Sequence, residues 1–172
     1  HGDALWVVSP LRRAIETFLL ACPLVGSVGD ATPDVVAGPS GLACARSRSS
    51  EGLGNAAVEL QPLISEFCVT AGDVGSSTSQ LASEFPQMAR QLAVLPETWW
   101  FQEPRRPNCA AAKTMNCTEP RAHQKQRVGE FARWLSRRPE RFIILVGHCS
   151  FWKEFSKSND RMRNGEMRSM RW

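Results

Sequence analysis

The chain has 172 residues, of which 42% are hydrophobic and 22% are charged, and its formal net charge at pH 7 is +4. This length and apolar content suit one α/β domain with a buried core and leave too little chain for two. The positive charge is spread over arginine pairs, which argues against a nucleic-acid partner, and the apolar runs are too short to span a membrane.

The first predicted strand and helix meet at Ser9. Residues 5–8 are an apolar, β-prone run, and Ser9 and Pro10 suit the N-cap and first position of a helix that continues to about residue 21. Arg12 and Arg13 then lie in the first turn, where the helix dipole disfavours cations by roughly 0.3–1 kcal/mol per charge. A bound phosphate would reverse that penalty, because free helix amides and a guanidinium both bind phosphate oxygens. Two solvated surface arginines explain the pattern equally well.

The next segment contains a long loop and a candidate acid. Residues 23–57 are rich in Gly, Ser, Ala and Pro without a hydrophobic period, so they are predicted to form a long loop. The apolar pattern resumes at residues 58–64 and brings Glu66 to the junction with a turn-rich segment. A carboxyl group there can act as a general acid, because partial burial raises its pKa toward the working range. Most glutamates are solvated, so Glu66 is only a candidate on this pattern.

Two short helices are predicted in the middle of the chain. Ser77 can cap a helix that carries Leu81 and Phe85 on one face and that ends at Pro86. Residues 87–95 suit a second short helix.

An aromatic cluster precedes a second long loop, predicted at residues 102–121. The aromatic residues at 99–101 are typical of a core or of a pocket wall. Cys109, Cys117 and His123 are conceivable zinc ligands, but seven residues separate the two cysteines, whereas structural zinc sites use closer pairs. We therefore expect no metal and no cofactor.

The clearest predicted helix spans residues 122–138 and leads into a strand. Its apolar residues recur at helical spacing: Val128, Phe131, Ala132 and Leu135. Residues 141–146 are a continuous apolar run of the kind that is buried on both faces of a parallel sheet. This strand leads to His148, at the edge where parallel α/β sheets bind ligands and where Arg13 also follows a strand. A hydrogen-bonded structural histidine is an equally good interpretation of His148.

Three segments resemble the signatures of the histidine phosphatase superfamily, the phosphoglycerate-mutase-like enzymes. Residues 9–17, Ser-Pro-Leu-Arg-Arg-Ala-Ile-Glu-Thr, are similar to one signature, with Arg13 at its phosphate-binding arginine. Residues 144–151, Ile-Leu-Val-Gly-His-Cys-Ser-Phe, resemble another, in which His148 would contact the transferred phosphoryl group. The looser middle match, Leu-Ile-Ser-Glu, would make Glu66 the proton-donating acid. One subgroup shares the residues that follow, which are Asp73, Gly75, Leu81, Phe85-Pro86 and Pro-Glu-Thr-Trp-Trp.

The resemblance implies a fold, and it shows that one motif of the family is absent from this sequence. The fold would be a single α/β domain over residues 1–172, a three-layer sandwich with a mostly parallel sheet flanked by helices. Residues 164–167, Asn-Gly-Glu-Met, resemble the strand that often closes this domain. In the family an Arg-His-Gly motif after the first strand carries the nucleophilic histidine, and this sequence lacks it. Because the chain begins with His1 and not with methionine, we expect a fragment without that first strand.

The activity implied for the complete protein is hydrolysis of phosphomonoesters through a phosphohistidine intermediate. The substrate would be a phosphorylated small molecule or a phosphoprotein, and we expect this chain alone to be inactive. Arg13 and a cationic or hydrogen-bonding His148 would stabilise the phosphoryl oxygens, while Glu66 would protonate the leaving alkoxide. The alternatives are a pseudophosphatase that binds a phosphorylated ligand without turnover, and a zinc-stabilised interaction module.

The cysteines carry a prediction about the cellular compartment. They are Cys22, Cys44, Cys68, Cys109, Cys117 and Cys149. No charged and then apolar leader precedes them in this sequence, so we expect reduced thiols in a cytoplasmic protein without membrane association.

Overall fold

The computed structural model describes residues 4–22, 57–102, 118–160 and 162–171, which form a parallel sheet with helices on both faces. Strand β1 is Ala4–Val8, β2 is Ala57–Leu60 and β3 is Phe142–Val146. The strand order is β2-β1-β3, and both pairings are parallel. The predicted α/β class with a parallel sheet is confirmed. Most of the two predicted long loops lies outside the described residues.

The helices of the described ranges follow the strands along the chain. They are α1 (Arg12–Ala21), α2 (Thr78–Glu84), α3 (Ala89–Leu92), α4 (Arg121–Leu135) and α5 (Cys149–Ser156). Short 3-10 helices span Pro62–Ile64, Ala71–Asp73 and Pro86–Met88. Within the part of the chain that the structure describes, no helix has both the length and the apolar character needed to cross a lipid bilayer.

Alternate residues of β1 face two separate cores. Trp6 and Val8 face the first core, which is formed with α1, α2 and α3. Leu5 and Val7 face the second core, which is formed with α4 and α5. This period of two is what a strand in the middle of a sheet requires, because successive side chains point to opposite faces.

The two crossovers bring three segments to one edge of the sheet. The chain passes from β1 to β2 through α1 and then returns past β1 to β3 through α4. In the register of the sheet, Val8 lies beside Leu60 on one side and Val146 on the other. The residues that follow the three strands therefore meet at the carboxyl edge, where parallel sheets bind ligands.

Helix α1 begins two residues later than predicted, and Ser9 is not its N-cap. Leu11 holds the N-cap position in an extended conformation, with φ −64° and ψ 133°, and no side chain caps this helix. The extra extended residue places the Leu11 side chain in the first core. Arg12 and Arg13 still lie in the first turn, as predicted.

Strand β3 is not buried on both faces, which corrects the sequence prediction. Ile143 and Leu145 pack against the second core, but the Phe142 and Ile144 side chains are 60% and 40% exposed. Among the described strands β3 lies at the edge of the sheet, with β1 beside it. On the face of the first core, Val146 packs against that core, whereas Phe142 and Ile144 are exposed.

The predicted closing strand at residues 164–167 is also wrong. These residues form a turn in which the Glu166 amide donates to Arg163 O at 3.1 Å and the Arg163 amide donates to Glu166 Oε2 at 2.7 Å. Gly165 has a positive φ of 74°, which favours glycine and interrupts an extended chain. Met167 is exposed and adds nothing to either core.

Candidate functional site

The three predicted site residues lie on segments that start at the carboxyl edge of the sheet. Arg13 is in the first turn of α1 and follows β1. Glu66 follows the 3-10 helix after β2, and His148 follows β3 as the N-cap residue of α5. The positive charge of Arg13 lowers the pKa of both Glu66 and His148, as expected for groups at one edge of the sheet.

His148 is neutral and holds the ends of two strands together. Its side chain lies beneath the surface, and its Nε2 is 2.8 Å from Ser9 Oγ. Burial, together with the positive charge of Arg13, lowers the pKa of His148 from 6.5 to about 3. A neutral imidazole offers one hydrogen-bond donor, so the hydrogen-bonding role fits this environment and the cationic role does not.

Ser9 is a site residue that sequence reasoning assigned only to a helix cap. It is fully buried, and the Leu11 amide donates to its Oγ at 3.3 Å. The Ser9 amide donates to Val146 O at 2.9 Å. Ser9 therefore fixes the imidazole of His148 through its side chain and the end of β3 through its backbone.

The carboxylate of Asp73 orients the Arg13 side chain. Its guanidinium donates to Gly72 O at 2.7 Å and to Asp73 Oδ1 at 3.1 Å, and 45% of the side chain is exposed. Burial raises the pKa of Asp73, but hydrogen bonds from Thr70, Val69 and Arg13 outweigh it and leave the pKa below its ordinary value. Asp73 is therefore charged at neutral pH. A guanidinium has five N–H donors, so a bound anion would share Arg13 with Asp73.

Glu66 has the environment of a general acid. Its Oε1 accepts hydrogen bonds from the Phe67 amide at 2.9 Å, from the Ser150 amide at 3.2 Å and from the Ser150 hydroxyl. Burial raises the pKa of Glu66 more than these backbone hydrogen bonds and the charge of Arg13 lower it. Because the hydrogen bonds described for the Glu66 carboxyl group all end on Oε1, a proton on this group would reside on Oε2.

A buried ion pair holds the segment that carries Glu66. Arg127 donates from Nε and Nη2 to the two oxygens of Glu119, at 2.7 and 3.0 Å. Its Nη1 donates to the carbonyls of Leu63 and Ser65, both at 2.8 Å, and Nη2 also donates to Glu66 O at 3.1 Å. All five guanidinium donors are used. Sequence reasoning missed this pair, because the carbonyls lie more than 60 residues away along the chain and no local pattern points to them.

A cavity of about 400 Å³ adjoins Glu66 and Asp73. Its apolar walls include the side chains of Trp99, Trp100 and Phe101. Arg13 and His148 are not among its lining residues, so the cavity does not lie between these two groups.

The suggested zinc ligands are not assembled by the described residues. Cys109 and Cys117 lie outside them, and His123 Nδ1 is 2.7 Å from Glu119 Oε1. In the described ranges no group of three or more His, Cys, Asp or Glu residues could hold a metal ion. Among the described cysteines, Cys22 and Cys149 are free thiols.

Comparison of this chain with models of protein families, with curated proteins and with solved structures gives no match. Its function is therefore inferred from the residues and contacts described above.

Proposed function

We propose that the complete protein is a phosphoglycerate-mutase-like histidine phosphatase that hydrolyses phosphomonoesters, and that this chain carries its phosphate-binding groups and its acid. The observation that carries the proposal is the gathering of Arg13, Glu66 and His148 at the carboxyl edge of a parallel sheet. A guanidinium, a carboxyl group with a raised pKa and a neutral hydrogen-bonding imidazole are groups that phosphoryl transfer uses.

The phosphoryl group would bind between Arg13 and His148. Arg13 would donate two hydrogen bonds to phosphate oxygens, in the fork geometry that lysine cannot provide. The free amides of the first turn of α1 favour an anion at the same place, since no acidic side chain lies in that turn. His148 would donate a single hydrogen bond, because its imidazole is neutral at neutral pH.

In the proposed reaction a histidine of an Arg-His-Gly motif is the nucleophile. Its nitrogen forms a bond to phosphorus as the bond to the leaving oxygen breaks, and Glu66 gives its proton to that oxygen. Water then attacks phosphorus, the bond between nitrogen and phosphorus breaks, and Glu66 takes a proton from the water. The present sequence contains no Arg-His-Gly motif, so the chain alone would bind phosphate without turnover.

Phosphate binding by the purified chain tests the proposal. Isothermal titration with phosphate or vanadate should show binding that Arg13→Ala abolishes while the far-UV circular dichroism spectrum stays unchanged. Arg12→Ala is the matched control, because Arg12 pairs with Glu84 at 2.8 Å and should leave the affinity within about twofold. Unchanged affinity in Arg13→Ala would remove Arg13 from the site, and phosphorylation of the purified chain by substrate would contradict its inactivity.

A pseudophosphatase is the second candidate. The observation that favours it is a set of phosphate-binding groups in a sequence that has no nucleophilic motif. Both candidates predict phosphate binding through Arg13, so binding does not separate them. Translation of the genomic sequence upstream of His1 does: an apolar strand followed by Arg-His-Gly supports the phosphatase, and its absence supports the non-catalytic binder.

A further inference from the structure

The cavity beside Glu66 has a shape and lining that point to a ligand. We infer that it holds the leaving group of the substrate, and that this group is aromatic and carries no negative charge. The inference rests on the proposed function and names the substrate class for the same site. Its volume of about 400 Å³ falls in the range of small-molecule pockets, roughly 300–1,000 Å³.

The position of the cavity relative to the acid supports this assignment. A general acid must reach the leaving oxygen, which joins the phosphoryl group to the rest of the substrate. Glu66 lines the cavity, and so does Asp73, whose Oδ1 accepts a hydrogen bond from the Arg13 guanidinium at 3.1 Å. Arg13 and His148 lie outside the cavity. If the phosphoryl group binds at Arg13, the leaving oxygen would therefore lie near Glu66, and the rest of the leaving group would lie in the cavity.

The walls of the cavity are aromatic and rigidly held. The rings of Trp99 and Trp100 meet edge to face, with centroids 5.5 Å apart. Trp99 Nε1 donates to Ser76 O at 2.9 Å, which fixes the ring. Phe101 packs against the His123 ring, with centroids 4.8 Å apart. Fixed aromatic faces favour a planar ring, because ring pairs gain from stacked and edge-to-face contacts beyond simple burial.

The charges around the cavity disfavour an anionic leaving group. Its lining carboxylates are Asp73, Glu119 and Glu130, in addition to the proposed acid Glu66, which is protonated when substrate binds. Arg127 also lines the cavity, but its five donors are used by Glu119 and by three carbonyls, so it has none left for a second anion. A leaving group with its own carboxylate or phosphate would be repelled, whereas a phenol-like group would not.

Binding of three phosphate compounds to the purified chain tests the assignment. We expect phenyl phosphate to bind about tenfold or more tightly than inorganic phosphate, and 4-carboxyphenyl phosphate to lose most of that gain. Phe101→Ala should reduce the affinity for phenyl phosphate about tenfold and leave that for inorganic phosphate unchanged. Trp100→Leu, which keeps apolar bulk, should act in the same direction. Phe142→Ala is the matched control, because this phenylalanine is exposed on β3, outside the cavity lining.

The outcomes separate the two proposals. If inorganic phosphate binds through Arg13 but phenyl phosphate binds no more tightly, the leaving-group assignment is overturned and the proposed function stands. The same holds if neither Phe101→Ala nor Trp100→Leu changes the ratio of the two affinities. If phenyl phosphate binds in an aromatic-dependent way while inorganic phosphate does not bind, the phosphatase proposal and the leaving-group role both fall. If nothing binds, both are overturned.

Discussion

Gly75 lies where two indole rings leave no room for a side chain. A Cβ added at this position would be 2.5 Å from Trp100 Cε3 and 2.6 Å from Trp99 Cζ2. Trp99 is buried and hydrogen-bonded through its ring nitrogen, so its ring cannot move away. The glycine therefore permits the close approach of the turn after Asp73 to the aromatic wall of the cavity.

We expect Gly75→Ala to lower the free energy of unfolding by roughly 1–3 kcal/mol, because overpacking forces the rings or the backbone to shift. Gly72→Ala is the matched control. Its added Cβ would lie 3.7 Å from Thr70 Oγ1, which is an ordinary contact, so its unfolding free energy should change little. Urea unfolding of the two variants checks this expectation, and equal stabilities would show that the indoles move aside freely.

The sequence assigned site roles to Arg13, Glu66 and His148 but not to Asp73 and Ser9, although both of these lie in segments that resemble the family. Arg13, Glu66 and His148 each stand shortly after an apolar run, so local pattern and resemblance were enough to single them out. Asp73 and Ser9 act on partners 60 and 139 residues away, and such distances carry no local pattern. Ser9 also looked like a helix cap, because Ser-Pro before a helix has that meaning in most contexts.

At the scale of elements, the ion pair between Arg127 and Glu119 joins α4 to the segment after β2. Glu119 is 2% exposed, and burial alone would raise its pKa. Hydrogen bonds and charge from Arg127 outweigh burial and leave the pKa of Glu119 below its ordinary value. Since Arg127 also donates to the carbonyls of Leu63, Ser65 and Glu66, it positions the segment that carries the proposed acid.

Removal of the Arg127 guanidinium should destabilise the folded protein. We expect Arg127→Met to lower the free energy of unfolding by about 3–5 kcal/mol, because it leaves a buried carboxylate and three carbonyls without their donor. Arg133→Met, on the exposed side of the same helix, should stay within about 0.5 kcal/mol of the parent. Adding Glu119→Gln to Arg127→Met should recover part of the loss, since the uncompensated charge is then gone. Equal losses in the two single arginine variants would disprove the positioning role.

Some helices and strands could be predicted from local sequence patterns, and others could not. Helix α2 was predicted from Ser77 and its apolar face, and it is capped by reciprocal hydrogen bonds between Ser77 and Gln80, which are local in sequence. Helix α5 was not predicted, although Phe151 and Phe155 stand one turn apart in it. The burial of β3 was predicted wrongly, because the same apolar run can occur in an edge strand and in a central strand. Neighbouring strands, and not the run itself, decide which of the two it is.

For the whole molecule, the parallel topology sets both the fold and the protonation of its buried groups. Three strand ends meet at one edge, so Arg13, Asp73, Arg127 and His148 share a region that is partly closed to water. Burial and two nearby cations keep His148 neutral there, against the opposing charge of Asp73. The free energy of this arrangement depends on pH, because the same imidazole is exposed when the chain unfolds.

The stability of the whole chain should therefore fall as pH is lowered from 7 to 5. The unfolded imidazole of His148 binds its proton near pH 6.5 and the folded one only near pH 3. Between these values the unfolded state binds more protons, so stability is fully present above pH 6.5 and is lost progressively toward pH 3. We expect a loss of about 2 kcal/mol between pH 7 and pH 5 in urea unfolding. In His148→Gln this loss should disappear. Asp73 and Glu119 have lowered pKa values and add their losses at lower pH, while Glu59 and Glu66 have raised pKa values and act in the opposite direction. The same pH dependence in the variant and the parent would mean that His148 is protonated in the folded protein, and the neutral hydrogen-bond donor proposed for the phosphoryl group would then be wrong.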